Sequence, residues 1–126
     1  MICLFGQRYR EDVDLEEEAR VGAELLEELA RVPGFIAYHV YKAEDGEVLG
    51  VIRFETREAL EAWRDNLVHR SAWKRATEFY DEFWIQNCDT YREYLWKGGR
   101  RVPEDLSARF SASSANLAPA VTPRSP

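Results

Sequence analysis

Residues 35–43 and 48–55 read as two β-strands, and neither has a polar side. In the first, Phe35, Ala37 and Tyr41 point one way while Ile36, Tyr38 and Val40 point the other; in the second, Val48, Gly50, Ile52 and Phe54 oppose Leu49 and Val51. An antiparallel pair with one solvated face alternates apolar and polar residues, so this pair must be covered on both faces. The two strands are joined by Glu44-Asp45-Gly46-Glu47, whose Asp-Gly step readily supplies the positive φ angles of a tight hairpin turn.

The remaining elements limit what can provide the cover. Ile2 to Tyr9 has apolar and aromatic residues without a helical stripe and reads as a strand. Asp14 with Glu17 three residues on is a capping-box-like helix start, and Glu16-Glu17-Glu18 reads as its solvated, dipole-favoured first turn. Leu15, Ala19, Gly22, Leu26 and Leu29 then form one inward stripe, with Glu24, Glu27, Glu28 and Arg31 outside, until Pro33-Gly34 ends the helix. Thr56 caps a second helical region in which Leu60, Trp63 and Leu67 share a face. That region bends or breaks over Asn66-Leu67-Val68, resumes at His69 and carries His69, Trp73, Ala76 and Tyr80 on one stripe. Residues 83–96 return to strand-like content. The order βαββαβ implies an α+β fold, an antiparallel sheet with its helices on one face. The bare face is left to a second copy of the chain, a ligand, or both, and the expectation is a homodimer joined through the uncovered sheet faces.

Charge and composition narrow the partners. Residues 1–96 hold 12 Lys/Arg against 21 Asp/Glu, a net −9, and residues 97–126 hold five against two, a net +3. An acidic folded part argues against a nucleic-acid partner, because phosphate binding needs clustered cations. No apolar run approaches the roughly 20 residues that span a bilayer, so no membrane partner is expected. With no leader visible, the expected setting is cytoplasmic. Cys3 and Cys88 form neither a disulfide framework nor a metal cluster and read as two half-buried thiols. Four of the five prolines and five of the six serines lie beyond Trp96. The chain therefore divides into a folded domain, residues 1–96, and a flexible basic Ser/Pro-rich tail, residues 97–126, with a short helix possible around 104–109.

Several stretches are similar to the antibiotic biosynthesis monooxygenase family: Pro33-Gly34-Phe35, the Asp45-Gly46 hairpin, Trp63 followed by His69, and Phe79-Tyr80 leading to Ile85-Gln86-Asn87-Cys88. The resemblance covers residues 1–96 and implies a ferredoxin-like fold that dimerises face to face into an α+β barrel. Its members include cofactor-independent monooxygenases that oxidise aromatic polyketides to quinones, heme-degrading monooxygenases and proteins with no established activity, so the resemblance leaves the activity open. The heme-degrading branch shares a tryptophan at Trp63 but adds a first-strand asparagine and a histidine about ten residues beyond that tryptophan; Gln7 and Trp73 stand there instead, and an indole cannot ligate heme iron.

Cofactor-free oxygenation needs an apolar pocket and a base or hydrogen-bonding group near a phenolic oxygen, because the deprotonated substrate supplies the electrons. No metal-ligand spacing, phosphate loop or nucleophile elbow points to another chemistry, so no cofactor is expected. His69 is the candidate catalytic base. Trp63 and Trp73 are candidates to stack on a flat substrate, Tyr38 and Tyr80 to orient its oxygen, and Gln7 to project into the pocket from the first strand. Arg53 is placed either to stabilise an anionic intermediate or to pair with Glu55 or a carboxylate of a partner chain, and His39 reads as a surface or interface residue. The leading reading is a homodimeric, cofactor-independent monooxygenase acting on a small aromatic or quinol-like metabolite. The alternative is a non-catalytic ligand-binding or dimerisation module of the same fold.

Overall fold

A computed structural model describes residues 1–103 and 105–112. In chain order the elements are β1 (Ile2–Tyr9), α1 (Leu15–Ala30), β2 (Phe35–Lys42), β3 (Val48–Phe54), α2 (Arg57–Asp65), α3 (Leu67–Trp73), α4 (Ala76–Phe79), β4 (Tyr80–Cys88), β5 (Leu95–Lys97), β6 (Arg100–Val102) and α5 (Leu106–Ala112). The first four long strands form one sheet in the order β2-β3-β1-β4, antiparallel at every pairing. This is the expected α+β, ferredoxin-like arrangement. Its core joins Cys3, Ile52 and Phe54 of the sheet to Leu29 of α1 and Ala59, Leu60 and Trp63 of α2. No helix among the described residues is long and apolar enough to cross a membrane.

Side-chain caps fix the helix starts. Asp14 accepts from the Glu17 amide at 3.1 Å and Thr56 from the Ala59 amide at 3.1 Å. Each satisfies a donor that the first turn leaves without a helical partner. Asn66 ends α2 with extended backbone and opens α3, its Oδ1 accepting from the His69 amide at 3.0 Å. The hairpin closes where the Ala43 amide donates to the Glu47 carbonyl at 2.8 Å. Of the Asp-Gly step only Gly46 adopts positive φ, at 94°, so the connection is a three-residue loop and not a two-residue one.

Several expectations need correction, each because tertiary packing overrides a local pattern. Phe35 shares the helix side with Phe54, their rings 6.4 Å apart, because the register shifts between Phe35 and Ala37 and Ile36 is the extra residue. Leu67 does not continue the Leu60–Trp63 face; it is 80% exposed, because the chain turns at Asn66 and helix α3 starts anew at Leu67, two residues before the expected His69. The final strand, expected over residues 83–96, runs from Tyr80 to Cys88. Glu18, expected in a solvated run, is buried.

The face of the sheet turned away from the helices carries Leu4, His39, Val51 and Arg53 by strand alternation. Part of it is covered by α5, whose Phe110 lies under the Arg53 guanidinium at 3.8 Å and 5.6 Å from the His39 ring. The composition change after Trp96 falls inside the β5–β6 hairpin, where Trp96 pairs with Arg101. The short helix runs over Leu106–Ala112. Glu104 and the expected flexible stretch from residue 113 onward lie outside the described residues. Cys3 faces the helices and Cys88, level with Ile2, the opposite side, so the two thiols remain free. Burial pushes the Cys3 thiol up to about 11.

Candidate functional site

Strand alternation turns Phe5 and Gln7 of β1, Tyr38 of β2 and Ile52 of β3 toward the helices, and together they floor a cavity of about 460 Å³ roofed by α1, α2 and α3. That volume lies within the roughly 300–1,000 Å³ of small-molecule sites. Gly50 makes the floor possible: a Cβ there would run into the ring of Phe5, which therefore lies across the bare backbone. Trp73, Phe83 and Ile85 line the cavity and are also exposed, which marks its open side.

His69 is fixed on three sides. Asn66 caps its amide, its Nδ1 lies 3.0 Å from the Trp63 carbonyl, and its ring stacks on the Trp63 indole at 4.2 Å and 16°. The Trp73 indole is also nearly parallel to it, at 6.3 Å and 25°. A carbonyl can only accept, so Nδ1 carries the proton and Nε2 keeps the lone pair. Burial lowers the pKa of His69, opposed by the bond to Trp63, so the imidazole is held neutral.

Tyr80 enters from the first residue of β4, and its hydroxyl donates to Glu18 Oε2 at 2.7 Å. Burial, then the neighbouring Glu18 carboxylate, pushes the phenol well above its ordinary range, so it stays protonated. The pair is held in place by Arg75, which donates to Glu17 at 2.8 Å and to Glu78 at 3.1 Å and so ties the first turn of α1 to the segment ahead of β4. The hydrogen bonds from Arg20, then from Arg75, hold the Glu17 carboxyl well below the usual range.

Six of the seven residues expected at the site line this one cavity: His69, Trp63, Trp73, Tyr38, Tyr80 and Gln7. Arg53 does not. It follows Ile52 on β3 and so points to the opposite face, against Phe110. Glu18 and Asn87 were missed. Glu18 is spaced four, three and four from Gly22, Leu25 and Leu29, a helical row as good as the one beginning at Leu15. Asn87 shares the two-residue period of Phe83 and Ile85. Among the described residues no group of three or more His, Cys, Asp or Glu is arranged to hold a metal ion.

The sequence matches the family described as antibiotic biosynthesis monooxygenase over residues 12–76. No curated protein matches it significantly. Among solved structures, the chain is similar to protein SO0527 from Shewanella oneidensis, with 18% identity and a TM-score of 0.59 over 68% of this chain and 84% of that one. It is similar to Rv0793 from Mycobacterium tuberculosis, with 16% identity and a TM-score of 0.57 over 72% and 97%. A structure described as an antibiotic biosynthesis monooxygenase aligns with 14% identity and a TM-score of 0.58 over 73% and 100%. At such identities the likeness is one of fold.

Proposed function

The chain belongs to the antibiotic biosynthesis monooxygenase family, and from this premise we propose that it is a cofactor-independent monooxygenase of a small aromatic or quinol-like metabolite. The observation that carries the reading is His69: a neutral imidazole with its Nδ1 proton committed to Trp63, so that Nε2 is left to act as base at a largely apolar cavity.

In this mechanism Nε2 takes the phenolic proton of the bound substrate. The resulting anion gives one electron to dioxygen, and the two radicals combine at a ring carbon to form a peroxide, which takes the proton back from His69. Loss of the hydrogen on that carbon with cleavage of the O–O bond leaves a carbonyl and releases water. One oxygen atom enters the ring and the other leaves as water, with all electrons drawn from the substrate. Trp63 and Trp73 offer indole faces to a flat ring, and Tyr38 and Gln7 offer polar groups to its substituents. The apolar lining favours the anion's reaction with dioxygen by excluding water.

The same reading has the chain working as a homodimer in the cytoplasm, two sheets meeting across the face that carries Leu4, Leu49 and Val51. An oxygen electrode with a panel of anthrone- and naphthol-type compounds tests the activity. Uptake matched by quinone formation and lost in His69→Ala is the expected result. No uptake with any compound favours the ligand-binding alternative, and uptake by the variant at the original rate removes His69 from the mechanism.

A further inference from the structure

Glu18 is the buried charged side chain among the described residues, at 6% exposure, and it lines the same cavity as His69. A carboxylate is costly to bury unless hydrogen bonds offset the lost water, and here it accepts the hydroxyl of Tyr80 at 2.7 Å. That bond uses the one proton of Tyr80, so the phenolic oxygen meets a further partner only as an acceptor. His69 is in the same condition, since its Nδ1 proton is committed to the Trp63 carbonyl. Glu18, Tyr80 and His69, on three different elements, therefore each offer a ligand lone pairs and no proton.

We propose that Glu18 and Tyr80 form a hydroxyl-binding subsite that selects uncharged ring compounds carrying more than one hydroxyl and excludes those carrying a carboxylate. A hydroquinone-type ligand brings two O–H donors, one for Tyr80 and Glu18 and one for His69 Nε2. At these three groups a carboxylated ring brings acceptors where acceptors already stand, and it places a second negative charge in the cavity with Glu18. The lining cation that could offset this, Arg64, is paired with Asp65 at 3.2 Å and is itself largely exposed. Arg75, the other nearby guanidinium, is held by Glu17 and Glu78 and is not among the lining residues. A site whose polar groups are matched by a ligand's hydroxyls discriminates far more sharply than an apolar wall.

The proposal rests on the reading that the cavity takes a small ring compound, and its test separates the two. Anaerobic titration calorimetry compares a naphthalenediol with the corresponding hydroxynaphthoic acid on the wild-type chain, Glu18→Gln and Tyr80→Phe. Wild type is expected to bind the diol at least about tenfold more tightly, which corresponds to about 1.4 kcal/mol. Glu18→Gln, which keeps the shape and removes the charge, is expected to narrow the ratio by tightening the acid, and Tyr80→Phe to weaken the diol. Equal binding of the two rings by wild type, or an unchanged ratio in Glu18→Gln, overturns the subsite. Failure of both rings to bind overturns it together with the cavity reading. Selectivity for the diol without oxygen uptake once air is admitted removes the oxygenase reading and keeps the subsite.

Discussion

The imidazole of His69 lies face to face with the indole of Trp63, 4.2 Å between centroids, while its Nδ1 bonds the carbonyl of the same residue at 3.0 Å. One residue thus sets both the plane and the tautomer of the candidate base. The break at Asn66 makes this possible, because it bends the chain so that a side chain six positions on can fold back over Trp63.

The lowered pKa of His69 gives a pH dependence of known sign. Burial disfavours the protonated ring in the folded chain, so the unfolded chain binds more protons near the ordinary value of 6.5. The stability His69 contributes is fully present above that value and is lost as the pH falls through it toward the lower folded value. Urea denaturation across pH 5–8 should show stability falling at the acidic end, with a shallower fall in His69→Gln. Equal slopes for the two proteins would contradict a buried neutral imidazole.

The two tryptophans should separate stability from binding. Trp63 is buried in the core cluster, and Trp63→Ala should cost about 3–5 kcal/mol. Trp73 is 47% exposed at the open side of the cavity, so Trp73→Ala should cost much less while weakening a bound ring compound severalfold. Denaturation midpoints and calorimetry on both variants check the contrast.

Gly50→Ala should act through Phe5. The added methyl meets that ring, which must tilt into the cavity. A loss of about 1–3 kcal/mol is expected, with reduced affinity for bulky rings and a smaller effect on single-ring ones. An undiminished affinity for the larger compounds would show that Phe5 moves elsewhere.

Asn66→Ala removes the cap on α3 and should cost about 1 kcal/mol. Because the capped amide belongs to His69, oxygen uptake should fall by more than the stability change explains. Activity measured well below the unfolding midpoint distinguishes the two effects.

Sedimentation equilibrium should give twice the 14.7 kDa chain mass. Leu4→Glu, on the sheet face away from the helices, should return the chain to a monomer, and a dimer that survives it would place the interface elsewhere.

The sequence by itself determined what depends on neighbouring residues: the helix starts at Asp14 and Thr56, the break at Asn66 and the loop at Gly46. These follow from hydrogen bonds and backbone preferences that act within a few positions. Only the tertiary structure decided the rest. One extra residue at Ile36 put Phe35 on the helix side, strand parity put Arg53 against Phe110, and the turn at Asn66 left Leu67 outside. Helix α1 had two plausible inward rows, and the row through Glu18 is turned to the cavity where a tyrosine 62 residues away donates to its carboxylate. Local pattern suggests which residues share a face, but bulges, chain turns and the surface that packs against an element decide what is buried, and that surface is assembled from distant parts of the chain.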